Sequence, residues 1–153
     1  MRRISIAHSL FLLIWPLMLS IEAWGHGYES MARPNFETVG LGISVDDDCP
    51  LDDVAARAAA KAEFLRARIK TSDLMLLSNG GFWLSAACID KGDSSTYLYR
   101  VRLEWTWEQG EEWPLTVLSE NFGQVGDGAD GLEEIIGDVV ERGLTAYLEA
   151  NLE

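Results

Sequence analysis

The chain has 153 residues, with 25 acidic and 12 basic side chains and a formal net charge of −13 at pH 7. Because so acidic a protein repels phosphate, the charge argues against nucleic acid or an anionic membrane surface as a partner. A long apolar run at the start, followed by roughly 128 residues of mixed composition, fits a single exported domain.

Residues 1–25 have the features of a secretory signal peptide. A short basic start (MRR) precedes a mostly apolar run over 4–21, and 23–25 (AWG) offers small residues for cleavage. The apolar run approaches the roughly 20 residues that span a bilayer, so an N-terminal membrane anchor is the alternative. Pro16 and the polar sequence from His26 onward favour cleavage. We therefore expect export, to a bacterial periplasm, of a mature form that does not span a membrane.

The sequence after the apolar run divides into a flexible lead-in at 26–35 and a single domain at 36–153. His26 is the only histidine that cleavage would leave, and close to a new amino terminus it would form a copper or nickel capture motif. A copper enzyme normally has a second histidine ligand, which is missing after cleavage. The sequence otherwise indicates no cofactor.

The first strand and helix of the domain follow at 38–69. Alternating apolar residues predict a strand over Val39–Val45, with Gly40 and Gly42 on a face that we expect a helix to cover. The helix after it should be capped near Asp48 or Cys49. Its apolar stripe is predicted at Leu51, Val54, Ala55, Ala58, Ala62, Leu65 and Ile69.

The second half of the domain reads as strands followed by a helix. Residues 71–78 fit either a short strand or a last helical turn, and 82–90 should pair antiparallel with 96–108. Another strand is expected at 115–122, then a glycine-rich loop at 123–131. The last helix should be capped by Asp130. Its apolar face is predicted at Leu132, Ile135, Ile136, Val139, Val140, Leu144, Tyr147 and Leu148.

These elements predict a two-layer α+β sandwich, in which both helices lie on one face of a mostly antiparallel sheet of three to five strands. The expected order is β-α-β-β-(β)-α. Cys49 and Cys88 are the only cysteines, and in an oxidising compartment such a pair predicts a disulfide.

Residues 96–108 (TYLYRVRLEWTWE) show the longest alternation in the chain, and their aromatic face should enter the core. If both helices cover that face, the opposite one is open and is our predicted partner surface. It carries Leu98, Arg100, Arg102, Glu104 and Thr106. The alternatives are that another chain or the segment 115–122 covers this face.

Two other functions remain open from the sequence. Trp83 and Trp113 are candidate exposed aromatics for a glycan or small-ligand module, although strand aromatics are more often core. Glu104 and Glu108 are candidate carboxylates for an enzyme, but no catalytic motif surrounds them. The acidic residues at 46–53 do not have the spacing of a calcium loop, because the twelfth position counted from Asp46 is Arg57.

The order of the elements and the ending Tyr147-Leu148-Glu149-Ala150-Asn151 resemble small, uncharacterised exported bacterial proteins with a signal peptide and one α+β domain. The resemblance implies fold and location, and no activity. We therefore expect a non-enzymatic exported domain that acts through protein contacts, as an accessory subunit of a cell-envelope assembly.

Overall fold

The computed structural model describes residues 38–73, 80–90, 92, 96–107, 115–126 and 128–152. The predicted signal peptide, the lead-in, His26, Glu108 and Trp113 lie outside them. The described elements are β1 (Thr38–Val45), α1 (Asp53–Arg66), β2 (Lys70–Ser72), β3 (Gly80–Asp90), β4 (Tyr97–Trp107), β5 (Leu115–Val125) and α2 (Gly128–Leu152). This is the predicted α+β class.

The strands form one five-stranded sheet in the order β2-β1-β3-β4-β5. β3 pairs antiparallel with β4 from Gly80↔Trp107 to Asp90↔Tyr97, which confirms the predicted hairpin. β5 continues antiparallel beside β4, while β1 is parallel to both β2 and β3. The sheet is therefore mixed, because the crossover through α1 returns the chain parallel to β1.

Both helices cover the same face of the sheet, as predicted. Phe64 of α1 and Tyr147 of α2 each place a ring 5.0 Å from the ring of Phe82 on β3. Trp105 of β4 lies 5.1 Å from the same ring. Edge-to-face contacts at these distances are favourable beyond the apolar area they bury. The centre of the core is thus an aromatic cluster joining both helices to the middle strands.

α1 does not bury the stripe predicted for it. Its buried residues are Ala56, Ala60 and Phe64, while Val54 and Leu65 are 76% and 78% exposed. The apolar residues of this helix fit a helical period on two opposite faces, so periodicity alone did not decide between them. The small side chains of Ala56 and Ala60 let the helix lie close to its neighbours, and that face is the one that packs.

The ends of α1 are fixed by local hydrogen bonds. Asp52, rather than Asp48 or Cys49, is the N-cap, and its carboxylate accepts from the Ala55 amide at 2.8 Å. At the other end Arg68 has φ 60°, and its amide donates to the Leu65 carbonyl at 3.1 Å. The Ile69 amide donates to the Phe64 carbonyl at 2.9 Å, which completes a Schellman motif.

α2 confirms its predicted apolar face: Leu132, Ile136, Val139, Val140, Leu144 and Tyr147 are buried. The helix begins at Gly128, so Asp130 lies in its first turn and not at the cap. The glycine-rich loop expected at 123–131 is also shorter than predicted, because β5 extends to Val125. Gly123 belongs to that strand, where an added Cβ would lie 3.1 Å from the Tyr99 hydroxyl.

Cys49 and Cys88 form the predicted disulfide, with 4.9 Å between their Cα atoms. The bond joins the segment before α1 to the end of β3. The glycine face of β1 is a further correction. Val39, Leu41 and Ile43 are buried in the core beneath the helices. Alternation along the strand therefore places Gly40 on the opposite face, which the helices do not cover. A Cβ added to Gly81 of β3 would lie 2.6 Å from the Gly40 carbonyl oxygen, so close strand approach explains the glycines.

Candidate functional site

The candidate site is the sheet face opposite the two helices, which we call the outer face. Alternation along each strand sends one set of side chains toward the helices and the other set to this face. On β3 to β5 the outer face carries Trp83, Ser85, Ala87, Ile89, Leu98, Arg100, Arg102, Glu104, Thr106, Leu115, Val117, Glu120 and Phe122. β5 lies in the plane of the sheet as its edge strand, so it does not cover this face.

Large apolar side chains are exposed across the outer face. Phe122 has 76% of its surface accessible, and Val117 and Leu115 on the same strand are also exposed. Ile89 and Leu98 form a cross-strand pair on β3 and β4, and both are exposed. An antiparallel sheet with one face in solvent normally turns polar residues outward. The outer face therefore departs from the pattern of a sheet that stays solvated.

Two arginines and two glutamates form an ion-pair network at the centre of the outer face. Arg102 donates through Nη1 to Glu104 at 3.2 Å and through Nη2 to Glu120 at 3.1 Å. Arg100 donates through Nε to the same Glu120 oxygen. Burial opposes the charge on Arg102, but the hydrogen bonds to both carboxylates prevail and raise the pKa of Arg102 above its ordinary value. The network balances its own charge.

The predicted partner residues all lie on the outer face, but the structure divides them into two groups. Leu98 and Arg100 are exposed and Arg102 is partly accessible, whereas Glu104 and Thr106 are only 7% and 4% exposed. The Thr106 Oγ1 atom is buried without a hydrogen-bond partner. The accessible part of the predicted surface is thus the Leu98 end of β4.

β5 supplies residues that the sequence prediction left out. Val117 lies opposite Glu104, and Phe122 lies opposite Arg100, beside the ion-pair network. The register shifts between Leu103 and Glu104, so β5 does not keep a single alternation along its length. This irregularity hid the outer-face residues of β5 in the sequence, where only a strand over 115–122 was predicted.

The described aromatics do not form a single stacking platform. Trp83, a predicted ligand aromatic, is 36% exposed on the outer face, whereas Trp105 is buried in the core. Phe122 is two strands from Trp83 and four residues along, which corresponds to about 10 Å across and about 13 Å along the sheet. One sugar ring cannot stack on both side chains.

In the part of the chain that is described, the acidic residues do not gather into a metal site, and Glu104 is held in an ion pair. The Glu104 carboxylate, a candidate catalytic group, accepts a hydrogen bond from Arg102. Among the described residues no three His, Cys, Asp or Glu side chains come together as a metal site. No helix within the described ranges is both long and apolar enough to cross a membrane.

The sequence matches no model of a known protein family and no curated protein. Among solved structures, the chain is similar to a PelC dodecamer from Paraburkholderia phytofirmans, with 12% identity over 73% of this chain and 87% of that one, and a TM-score of 0.46. It is also similar to a minor lipoprotein from Acinetobacter baumannii, with 9% identity over 74% and 92% of the two chains and a TM-score of 0.41. Both are bacterial proteins. Because both TM-scores are below 0.5, no conclusion about this chain is drawn from them.

Proposed function

We propose that this chain is an exported, non-enzymatic domain that binds a protein partner through the outer face, as an accessory subunit of a cell-envelope assembly. One observation carries the proposal: Phe122, Val117, Leu115, Leu98 and Ile89 are all exposed on the one sheet face that neither helix covers. They form two apolar groups on either side of the ion-pair network, with Phe122, Leu98 and Ile89 on one side and Val117 and Leu115 on the other. Exposed apolar groups rimmed by polar residues mark protein interaction sites in soluble proteins.

The charges on the outer face define the chemistry of the partner. Arg100 and Arg102 are already paired with Glu104 and Glu120, so the face needs no charge from outside. A chain with a net charge of −13 thus presents here a surface without net charge, on which apolar side chains flank an ion-pair network. Its partner should offer an uncharged apolar patch with a pocket for Phe122, because large aromatic side chains act as anchors in interfaces.

Export is supported by two independent features. Residues 1–25 have the basic start, apolar run and small residues of a signal peptide. The Cys49–Cys88 disulfide belongs to a domain that matures in an oxidising compartment, where such bonds persist.

Site-specific photo-crosslinking in living cells tests the proposal. A photoreactive phenylalanine analogue at Phe122 should give one dominant adduct of defined mass. The same analogue at Glu149, exposed on α2, should not give that adduct. Val117→Lys, in the background with the analogue at Phe122, should abolish the adduct. Substituting an exposed residue changes the free energy of unfolding by only about 0.5 kcal/mol, so loss of the adduct would report lost binding.

Three outcomes would reject the proposal. One is the absence of any adduct at Phe122, and another is an equal yield of the same adduct at Glu149. The third is an adduct that survives Val117→Lys. An adduct with the mass of two copies of this chain would instead show that the outer face binds itself, which contradicts a distinct partner.

A further inference from the structure

The outward side of α1 is apolar although nothing in the described part of the chain packs on it. Val54 and Leu65 are 76% and 78% exposed, and Ala58 and Ala62 between them are exposed as well. At 100° per residue these four positions lie within an arc of about 80°. The buried residues Ala56, Ala60 and Phe64 occupy the opposite arc. A helix that is apolar on both sides is normally covered on both sides.

The two ends of α1 carry opposite charges. Asp46, Asp47, Asp48, Asp52 and Asp53 are exposed at or before its N-terminal end, and Arg66, Arg68 and Lys70 are exposed at or after its C-terminal end. A shallow cleft lies at each end. One is lined by Asp46, Asp47 and Val54, among others, and the other by Leu65, Arg68 and Lys70. Acidic cleft and basic cleft are separated by the length of one helix of 14 residues, about 21 Å.

From this arrangement we propose that α1 is a self-association surface, on which two copies of the chain pack their α1 helices antiparallel about a two-fold axis. In that arrangement Val54 of each copy meets Leu65 of the other, and the alanines at the centre let the helices approach closely. The acidic cleft of each copy then faces the basic cleft of the other, twice over. Such self-complementarity is what a two-fold interface requires.

Charge complementarity favours a second copy over an unrelated partner. A chain with a net charge of −13 repels another copy at long range, but this repulsion is screened beyond about 8 Å at physiological salt. At contact, the antiparallel arrangement places acidic residues against basic residues. It also places the positive end of each helix dipole beside the negative end of the other. The apolar stripe provides affinity, and the charged ends set the register.

The contact area of two helices of this length is at the low end of specific interfaces, so we expect a dimer that forms at micromolar concentration. The purified exported chain should double its mass in sedimentation equilibrium across a concentration series. Leu65→Lys and Val54→Lys should each weaken association by about tenfold or more. Phe122→Lys is the matched control, since this residue is equally exposed but lies on the outer face, and it should leave association unchanged.

Charge reversal gives a test that misfolding cannot imitate. The variant Asp46→Lys/Asp47→Lys/Asp48→Lys replaces three of the five exposed aspartates at one end, so that lysines outnumber the remaining acids there. The variant Arg68→Glu/Lys70→Glu leaves Arg66 beside two glutamates at the other end. Each variant should lose self-association, because like net charges then face each other at both ends. Mixing the two variants should restore a dimer, because every contact in the mixed pair is again between opposite charges. Restoration would also exclude a loss of folding as the reason for the separate losses.

The proposal fails if the native chain stays monomeric at every concentration, if Leu65→Lys leaves the dimer intact, or if the mixture stays monomeric. This inference does not depend on the proposed function, because the outer face and α1 lie on opposite sides of the sheet. Leu65→Lys should leave the photo-adduct at Phe122 unchanged. Each proposal can therefore fail while the other stands.

Discussion

The two helices lie side by side on one sheet face, but they are held there in different ways. α2 buries a continuous stripe of large side chains, from Leu132 to Tyr147, and its exposed side is mostly polar. α1 buries two alanines and one phenylalanine, leaves Val54 and Leu65 exposed, and is tied to β3 through the nearby Cys49–Cys88 disulfide. The helix with the smaller buried side chains is the one with a covalent tie beside it.

This difference shows that a helix can be held by the close approach that small side chains allow, as well as by the burial of large side chains. Ala56 and Ala60 offer little apolar area, so packing alone gives α1 less free energy than α2 gains from its larger side chains. The disulfide and the capping bonds of α1 offset that deficit. They also leave its outward apolar side available for another contact.

Removing the disulfide should have the largest effect. Cys49→Ala/Cys88→Ala opens a loop with a sequence separation of 39 residues, and in the chain-entropy model this lowers the free energy of unfolding by about 4 kcal/mol. Denaturant titration of the variant and of the native chain measures it. A loss below about 1 kcal/mol would show that packing alone holds the start of α1.

Truncating one leucine on each helix should change the free energy of unfolding by different amounts, because only one of the two side chains is buried. Leu144→Ala on α2 should lower the free energy of unfolding by about 3 kcal/mol, because the side chain is fully packed. Leu65→Ala on α1 should change it by less than about 0.5 kcal/mol, since that side chain is exposed. The measurement is made on dilute chain, below self-association. Equal losses would contradict the assignment of the buried faces.

Two glycines of α2 should respond to alanine with opposite signs. A Cβ on Gly143 would lie 2.5 Å from Leu103 Cδ2 in the core, so Gly143→Ala should be destabilising by about 1 kcal/mol net of its helix propensity. A Cβ on Gly137 would lie 3.5 Å from Glu63 Oε1, an ordinary contact. Gly137→Ala should therefore be stabilising by about 0.5 to 1 kcal/mol. Thermal unfolding of both variants measures the pair.

Asp73 should give the smallest effect, and one that depends on pH. Lys61 and Arg57 donate to its carboxylate at 3.1 Å and 3.0 Å, and the hydrogen bond from Lys61 is the main cause of its lowered pKa. A carboxylate with a lowered pKa stabilises the fold above its unfolded pKa of about 3.9, and this contribution is lost as the pH falls through the folded pKa.

Asp73→Asn should therefore lower the melting temperature slightly at neutral pH, and the difference from the native chain should vanish in strong acid. Parallel melting curves from neutral to acidic pH measure it. A difference that stays constant with pH would show that the carboxylate's charge is not what stabilises the contact.

Much of the fold was predictable because several elements allow a single interpretation. The alternation of β4 and the stripe of α2 each leave one side for the core, and the pairing of Cys49 with Cys88 had no competitor. Which face of α1 is buried was not predictable from the sequence. Ala56 and Ala60 on one side of the helix, and Val54 and Leu65 on the other, both fit the helical period. Only tertiary contacts decide between them.

The candidate site was predicted in part for a similar reason. Leu98, Arg100 and Arg102 follow from alternation along β4, and the structure places them on the outer face. Whether Glu104 and Thr106 are accessible depends on neighbours that alternation does not encode. Phe122 was missed because the register shift in the pairing of β4 with β5 breaks the pattern from which a face is assigned.

The parallel pairing of β1 with β3 has a consequence for how the chain folds. β3, β4 and β5 are joined by short connections and can pair soon after they are made, but β1 must wait for α1 and β2 before it meets β3. Contacts between distant segments form late, because loop closure precedes any gain from them. The disulfide closes that same long loop. Oxidation of Cys49 and Cys88 should therefore follow the pairing of β3, β4 and β5 and fix β1 in place beside β3.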